Sequence, residues 1–468
     1  MTIEAWILSL IPTILLFILA CLARSQFRSW LAPGAFFTLY WTGGLLIPLT
    51  ITADFYFWPG AAWFILLFAA ILYIGSVIGW TIGHHLRRSS YYREKAHTYH
   101  LFLGKPILIL FTMLGGLSIP LILQDQGYSI MALFHLESLA QVAREFSVLR
   151  YMEFYEPPFS ARFLTTFTYA GALFGGLWFA LDTPRHNRLW GLLPFGPALL
   201  QTLILTTRSS FLFPFELFTA VYLSMLVLLH KHPRLVSWKF IRRAVLIACI
   251  GSVVFLSAQV LRDRLTWDDI GIALTKFRAS TFGSPAAFSR WLEYGWQHDQ
   301  PAWGAFTFAG LFDWLGIRQR VQGLYSEVVY LSAAQIQTES SNIYTAFRSL
   351  IEDFTLPGAM IILAITGCVA SFAYRRVFAG ESAWLPILVL FYAFVLHSFI
   401  TSFLTYNSLL LAWVLFSLNI GPVGPRLLRM IPCTETKLLT EATCSQDKQM
   451  KKANGSRASM GSRRSNLP

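Results

Sequence analysis

The sequence predicts an all-α polytopic membrane protein, and two observations support that class. Of its 468 residues, 55% are hydrophobic and 13% are charged, whereas soluble domains carry roughly a quarter charged residues. Its apolar runs reach about twenty residues, the length of a helix that crosses a bilayer core. A membrane β-barrel would show alternating segments of about ten residues instead. Because lipid offers no partners to backbone N–H and C=O groups, runs of this length favour spanning helices.

The first apolar run covers residues 5–23 and follows Glu4. It lacks the positive n-region of a cleaved signal peptide, so we expect a transmembrane helix there. Further runs lie at residues 31–51, 60–83, 106–123, 161–181, 189–205, 209–229, 244–260, 356–374, 384–399 and 403–420. The sequence therefore predicts about eleven transmembrane helices.

Lysine and arginine concentrate in alternate connections between these runs. The basic connections are residues 24–28, 84–105, 185–188, 231–243, 375–376 and the tail from 426. All of them fall on one side of an eleven-helix chain, which the positive-inside rule makes cytoplasmic. We therefore expect a multi-pass protein of the inner (cytoplasmic) membrane, with a periplasmic N-terminus and a cytoplasmic C-terminus. The net charge of +13 then reflects membrane topology, and no nucleic-acid partner is predicted.

Four regions follow from this topology. Residues 1–260 would hold helices 1–8, with a periplasmic segment at 124–160 whose apolar residues share one helical face, as in a helix lying in the interface. Residues 261–355 would form a large periplasmic loop between helices 8 and 9, rich enough in aromatic residues to fold as a cap. Helices 9–11 would occupy residues 356–425. Residues 426–468 would be a disordered basic tail.

The sequence contains no nucleotide-binding loop, zincin helix or serine elbow. We therefore predict no cofactor and no metal. His84, His85, His97 and His100 lie together in a basic connection without a carboxylate or cysteine frame. They indicate an interfacial loop rather than a metal site.

Arginine is frequent on the side predicted to face outward, where the positive-inside rule predicts few basic residues. The set comprises Arg144, Arg150, Arg208, Arg262, Arg264, Arg278, Arg290, Arg318, Arg320 and Arg348. The guanidinium fork binds phosphate oxygens bidentately, so a lipid-linked diphosphate is one anion that this set suits. Arg208, in a short turn between two apolar runs, either snorkels to the interface or meets an anion. Arg262 and Arg264 flank Asp263 and could instead pair with it.

Three further residues near the predicted ninth and tenth helices could carry chemistry. Tyr344 and Arg348 are spaced i and i+4, so on a helix they would share a face. Asp353 is either a base or a charge stabilising a helix N-terminus. His397, at the outward end of helix ten, is either a base or a packed terminal histidine.

The order of several short motifs resembles the bacterial oligosaccharide repeat-unit polymerases, the O-antigen (Wzy-type) polymerase family. The most specific part is residues 280–367, with Phe282-Gly283-Ser284-Pro285, Gly304-Ala305-Phe306-Thr307-Phe308, Asn342-Ile343-Tyr344-Thr345 and Asp353-Phe354 in succession. Arg150-Tyr151 and Thr207-Arg208-Ser209 are also similar to the family's pattern. Thr355 follows Asp353-Phe354 where the family usually has glycine.

The resemblance implies a GT-C-like membrane glycosyltransferase that uses neither nucleotide sugar nor metal. Its donor would be a glycan on undecaprenyl diphosphate, and its acceptor a lipid-linked repeat unit. Arg208, Arg262, Arg278 and Arg348 would contact the diphosphate, and Asp353 or His397 would be the base. Arg150, Arg264, Asn342 and Tyr344 would bind substrate. A chain-length regulator and a flippase in the same membrane would be possible partners.

Two other functions stay open at this stage. An O-antigen ligase would transfer the same kind of donor to another acceptor. A lipid-linked oligosaccharide flippase or transporter would perform no bond chemistry. Transporters tend to show internal repeats and ionisable residues at the membrane midplane. Here the sequence shows no repeat, and ionisable residues cluster at outward ends, which favours an enzyme.

Overall fold

The computed structural model describes residues 3–85, 104–152, 155–181, 185–231, 237–263, 269–296, 300–318, 324–325, 327–332 and 339–420. Arg264, Arg320, His97, His100 and the predicted basic tail at 426–468 lie outside the described residues. Arg150 and Arg262 contribute described main chain only.

The first half of the chain is a succession of helices. They are α1 Ile3–Phe27, α2 Pro33–Ile51, α3 Pro59–His85, α4 Gly104–Gly116, α5 Ser118–Asp125, α6 Leu136–Met152, α7 Phe159–Ala180, α8 Arg185–Arg188, α9 Phe195–Leu205, α10 Ser209–Leu228 and α11 Trp238–Asp263. Short 3₁₀ turns cover Ile130–Phe134 and Leu189–Leu192. Both α2 and α3 begin with proline, whose fixed φ and missing N–H suit the first position of a helix.

The second half adds shorter elements before the last long helices. They are α12 Ile270–Phe282, α13 Ser284–Arg290, a π-helical turn at Trp291–Gly295, α14 Ala309–Trp314, β1 Val329–Tyr330, β2 Ser340–Ser341, α15 Ala346–Phe378, α16 Leu385–His397 and α17 Asn407–Ile420. Single 3₁₀ turns lie at Ser382–Trp384 and Phe403–Thr405. The two strands pair antiparallel, with Val329 opposite Ser341. Regular structure therefore occurs within the segment 261–355 that was predicted to be a large loop.

Seven helices of the described chain are long and apolar enough to cross a membrane. They are Ile3–Phe27, Pro33–Ile51, Pro59–Gly83, Lys105–Asp125, Phe159–Ala180, Ser209–Leu228 and Ala346–Phe378. Shorter apolar helices at Leu189–Leu205, Ala248–Val260, Ser382–His397 and Asn407–Ile420 coincide with the remaining predicted runs. The prediction of a helical, membrane-embedded protein is confirmed, while the count of eleven spans and their orientation stay predictions.

The tightest helix contact joins α3 to α15. A Cβ added to Gly75 would overlap the carbonyl oxygen of Ala364, and one added to Gly79 would overlap that of Cys368. Small residues four positions apart let the two backbones approach closely, which is how membrane helices associate without a hydrophobic driving force.

Two described apolar helices, α16 and α17, are short, and the connection between them is buried. The 13-residue α16 rises about 20 Å and the 14-residue α17 about 21 Å, less than the roughly 30 Å of a bilayer core. Between them, residues 398–406 lack a long helix, yet Ser398, Ser402 and Thr405 are buried. Irregular backbone at such depth occurs where protein covers it or where it lines a cavity.

The long helix α15 is also broken. Thr355 has φ 61° and ψ 174°, which separates an outer piece at 346–354 from the rest of the helix. The ring of Phe347 packs 4.7 Å from that of Trp41 and 4.9 Å from that of Phe68. Trp41 lies within α2, roughly 15 Å from its end at Ile51 by helical rise. The outer piece of α15 therefore enters the bundle and meets the end of α16, where Ala346 N donates to Ser398 O at 2.9 Å.

Candidate functional site

Arg208 lies in the turn between α9 and α10. Thr206 ends α9 in the left-handed conformation, with φ 52°, and Arg208 immediately precedes α10. Its guanidinium donates through Nη1 to Ser280 Oγ on α12 and through Nη2 to Gln259 Oε1 on α11. Both of these acceptors are uncharged. They hold the half-buried guanidinium in place.

Arg278 lies on the same helix as Ser280. Its Nη2 donates to both carboxylate oxygens of Asp54, at 2.5 and 2.6 Å, and its guanidinium lies 5.4 Å from the ring centre of Phe55. The side chains of Arg278 and Asp54 are 33% and 51% exposed. Exposed ion pairs contribute about 0–1 kcal/mol, so Asp54 is a replaceable partner.

Arg290 contacts the same connection between α2 and α3. Its guanidinium lies 4.8 Å from the ring centre of Tyr56, whose hydroxyl donates to Glu293 at 2.6 and 2.8 Å. Residues 54–56 thus touch two arginines, one on α12 and one on α13. The sequence placed Arg290 in the outward set but gave it no role.

Arg348, on the outer piece of α15, is 3% exposed. Its guanidinium is surrounded by aromatic rings, with centres at 3.8 Å (Tyr325), 4.0 Å (Tyr344) and 5.2 Å (Trp291). Burial raises the pKa of Tyr325 well above its ordinary value, so that ring remains a neutral phenol. Nε donates to Glu352 at 2.8 Å and Nη2 to Glu327 at 3.0 Å. Aromatic faces and two carboxylates therefore hold this guanidinium rigidly.

These contacts link four guanidinium groups, which we call the arginine row: Arg208, Arg278, Arg290 and Arg348. Arg208 and Arg278 are linked through α12, because Arg208 donates to Ser280 on the helix that carries Arg278. Arg278 and Arg290 contact the neighbouring rings of Phe55 and Tyr56. Arg348 lies against the ring of Trp291, the neighbour of Arg290. Among the described residues, three N–H groups of the row are buried without an acceptor: Arg278 Nε, Arg290 Nε and Arg348 Nη1. A buried donor without an acceptor costs about 1–3 kcal/mol. The row therefore has unused capacity for an anion's oxygens.

Asp353 is fully buried and engaged by the main chain. Its carboxylate accepts N–H groups from Phe306, at 3.0 and 3.2 Å, and from Thr307, at 2.5 Å. Its carbonyl oxygen accepts from Trp303 N at 2.9 Å. Asp353 therefore joins the segment before α14 to α15 by hydrogen bonds. Because these N–H groups occupy its carboxylate, the carboxylate is less available for the predicted role as a base.

His397 ends α16 and pairs with a carboxylate on α10. Its Nδ1 lies 2.8 Å from Glu216 Oε2, and the two residues are 0% and 4% exposed. The imidazole packs 5.3 Å from the ring of Phe213 and 5.7 Å from that of Tyr406. Its Nε2 is buried without a hydrogen-bond partner in the described part of the chain.

The remaining predicted substrate residues fall into two groups. Asn342 is exposed just after β2, and Tyr344 is buried, with its hydroxyl donating to Glu327 O at 3.3 Å. Arg150 and Arg262 stand in the last turns of α6 and α11, but their side chains lie beyond what the structure describes. Arg264 is outside the described residues.

Glu216 was not singled out from the sequence. A usable signal was present, because it is the only acidic residue in the apolar run 209–229, and ionisable residues within spanning segments mark functional sites by default. Tyr325, by contrast, becomes part of the site only through tertiary packing. No local pattern at that position indicates it.

Among the described residues, no group of three or more His, Cys, Asp and Glu side chains is arranged to hold a metal ion. Comparisons with known proteins give no relative: no protein-family model matches the chain, and neither a curated protein nor a solved structure does. The functional proposal therefore depends on the site's own geometry and on the sequence motifs.

Proposed function

We propose that the protein is a membrane glycosyltransferase that polymerises undecaprenyl-diphosphate-linked oligosaccharide repeat units into O-antigen or a similar surface polysaccharide. The chain would lie in a bacterial inner membrane, with the arginine row at its periplasmic face. The row is the observation that carries this proposal, because its guanidinium groups are held by neighbours and Arg278, Arg290 and Arg348 each retain a buried N–H group without an acceptor among the described residues. A lipid-borne diphosphate supplies the oxygens that such donors bind.

The leaving group explains why fixed arginines would accelerate the reaction. An acceptor sugar hydroxyl attacks the donor's anomeric carbon, and the bond from that carbon to the diphosphate oxygen breaks. Negative charge accumulates on the departing diphosphate as the bond lengthens. Donors already fixed in place bind that charge more strongly in the transition state than in the ground state, which lowers the barrier.

Arg208 and Arg278 are the best-placed contacts for the diphosphate. The Ser280 hydroxyl and the Gln259 amide oxygen that accept from Arg208 are neutral, and Arg278 pairs with the half-exposed Asp54. A diphosphate carries more charge than one carboxylate, and it would replace an ion pair that contributes about 1 kcal/mol or less. Arg348 is enclosed by Glu352 and Glu327, so its contribution would be to hold the outer piece of α15 in position.

Between the two candidate bases, the geometry favours His397. The carboxylate of Asp353 is occupied by main-chain donors, whereas Nε2 of His397 has no partner among the described residues.

A transporter of lipid-linked oligosaccharides is the second candidate. The observation that favours it is the meeting of broken helices inside the bundle, at residues 398–406 and Thr355, because transporters build substrate sites from discontinuous helices. An O-antigen ligase would use the same donor chemistry and differs only in its acceptor. A chain-length regulator and a flippase would be partners of the polymerase.

A deletion strain of the source organism distinguishes these functions. Loss of a polymerase leaves single repeat units on the surface lipid. Loss of a ligase leaves polymer that is not attached, and loss of a flippase leaves repeat units inside the cell. The proposal predicts the first pattern, and either of the others would contradict it.

Complementation then tests the arginine row. At equal membrane abundance, Arg208→Ala is expected to abolish long polymer, and Arg208→Lys to restore only part of it, because lysine cannot reproduce the bidentate fork. Arg144→Ala is the matched control, since Arg144 is an exposed arginine on α6, outside the row. Full-length polymer from both Arg208 variants would remove this residue from the site.

A further inference from the structure

The pairing of His397 with Glu216 supports a sharper assignment. We propose that Glu216 is a positioning residue that holds His397 as the general base of the glycosyl transfer, an inference that rests on the proposed function. The two residues are 181 positions apart in sequence and meet only because α10 packs against α16. The pair lies well inside the bundle, since Glu216 is roughly 10 Å from the start of α10 by helical rise.

Glu216 determines which nitrogen of the imidazole can accept a proton. In the proposed arrangement the Glu216 carboxylate accepts the hydrogen bond, and the Nδ1 atom 2.8 Å away carries the proton. Nε2 then holds the free lone pair. This is the division of roles in a carboxylate-oriented histidine base, where the acid fixes the tautomer and stabilises the imidazolium that forms.

Two other buried polar atoms near the imidazole also lack partners in the described chain. They are the hydroxyl oxygens of Thr345 and Thr401. Thr401 N donates to His397 O at 3.1 Å, and Ala346, the neighbour of Thr345, donates to Ser398 O at 2.9 Å. Main-chain hydrogen bonds of Thr401 and of Ala346, next to Thr345, therefore place both threonines at the end of α16. Buried hydroxyls and an imidazole nitrogen that lack partners among the described residues are groups that could hydrogen-bond the hydroxyls of a sugar.

The proton and electron balance of the step closes without another reagent. The acceptor hydroxyl gives its proton to Nε2 as its oxygen bonds to the donor's anomeric carbon. The electron pair of the broken bond leaves with the diphosphate. The imidazolium then returns its proton to the diphosphate or to water, and Glu216 keeps its charge throughout.

Other ionisable groups approach the pair from neighbouring elements. Tyr40 on α2 donates to Leu396 O at 2.6 Å, the ring of Tyr406 faces the imidazole, and Arg348 is two residues from Ala346 on α15. None of them replaces Glu216 as the acceptor of the Nδ1 proton. Replacing Glu216 therefore tests how much the orientation of the His397 imidazole contributes to catalysis.

The test uses the full-length protein in lipid nanodiscs and a lipid extract from the deletion strain as substrate. Glu216→Gln keeps the size of the side chain but removes its charge. It is expected to lower kcat about a hundredfold or more with little change in KM, because general-base catalysis contributes about 10²–10⁴. Glu216→Asp, which keeps the charge, is expected to recover a measurable part of kcat. Glu381→Gln is the matched control, because Glu381 pairs with Arg376 away from the site.

His397→Gly with added imidazole provides a second readout that does not depend on the Glu216 variants. Rescue of polymer formation by imidazole would support the base role, and no rescue in a folded variant would oppose it. Wild-type kcat in folded Glu216→Gln would overturn the inference while leaving the proposed function intact. If the wild-type protein itself forms no polymer from the extract, the proposed function fails instead.

Discussion

Arg348 should contribute far more to the stability of the protein than Arg278, whose ion pair with Asp54 is more exposed. We expect Arg348→Met to lower the free energy of unfolding by about 3 kcal/mol. Methionine would occupy much of the space between the Tyr325 and Tyr344 rings, so little of this loss would come from an empty cavity. The loss would come from Glu352, which is 18% exposed and would remain in the bundle without its partner.

The size of the expected loss in stability depends on how deeply each of the two carboxylates beside the Arg348 guanidinium is buried. Breaking a buried ion pair costs about 3–5 kcal/mol, and the partial exposure of Glu352 places this case at the lower end. Glu327 is 68% exposed, so water would replace most of its lost hydrogen bond. The double variant with Arg348→Met and Glu352→Gln removes the uncompensated charge. It should therefore be more stable than the single variant by about 2 kcal/mol.

Unfolding by SDS titration in mixed micelles measures these differences. Arg278→Met is the control, because its ion pair with Asp54 is exposed and should cost at most about 1 kcal/mol. Equal losses for Arg348→Met and Arg278→Met would refute the reasoning from burial. A double variant no more stable than Arg348→Met would refute the role given to Glu352.

Three other predictions follow from local geometry. Thr355→Gly should raise the free energy of unfolding by about 1 kcal/mol, because a positive φ strains threonine but not glycine; an unchanged or lower value in the SDS titration would count against the break at this residue. Gly79→Leu should prevent a monodisperse folded protein in size-exclusion chromatography, because its side chain would overlap the backbone of α15, whereas normal elution would contradict that contact. Asp353→Asn should cost about 1–3 kcal/mol yet retain polymer formation in folded protein, and loss of activity at unchanged stability would instead identify Asp353 as the base.

Helix positions could be predicted from the sequence because apolar run length is a strong signal. The predicted run 209–229 corresponds to α10 at Ser209–Leu228, and the run 31–51 to α2 at Pro33–Ile51. The interruption between α16 and α17 was narrower in the prediction, at residues 400–402, than in the structure, at 398–406. Phe399, Phe403 and Leu404 keep that stretch apolar, and hydropathy does not report backbone hydrogen bonding.

The site could be predicted only in part. Charge on the predicted outward side placed Arg208, Arg278 and Arg348 in a set of ten arginines, since arginine is unexpected there. Their choice as diphosphate contacts came with the family resemblance. The pairing of Glu216 with His397 depends on the packing of α10 against α16, which no local pattern reports. The sequence also could not show that main-chain N–H groups would occupy Asp353.

The most direct test of the account is polymerisation by the purified protein in nanodiscs, supplied only with the lipid extract of the deletion strain. The account predicts a ladder of lipid-linked products spaced by one repeat unit, with release of undecaprenyl diphosphate and no requirement for nucleotide. It also predicts that Arg208→Ala abolishes the ladder and that Arg144→Ala does not. Unchanged repeat units after incubation with folded wild-type protein would contradict it.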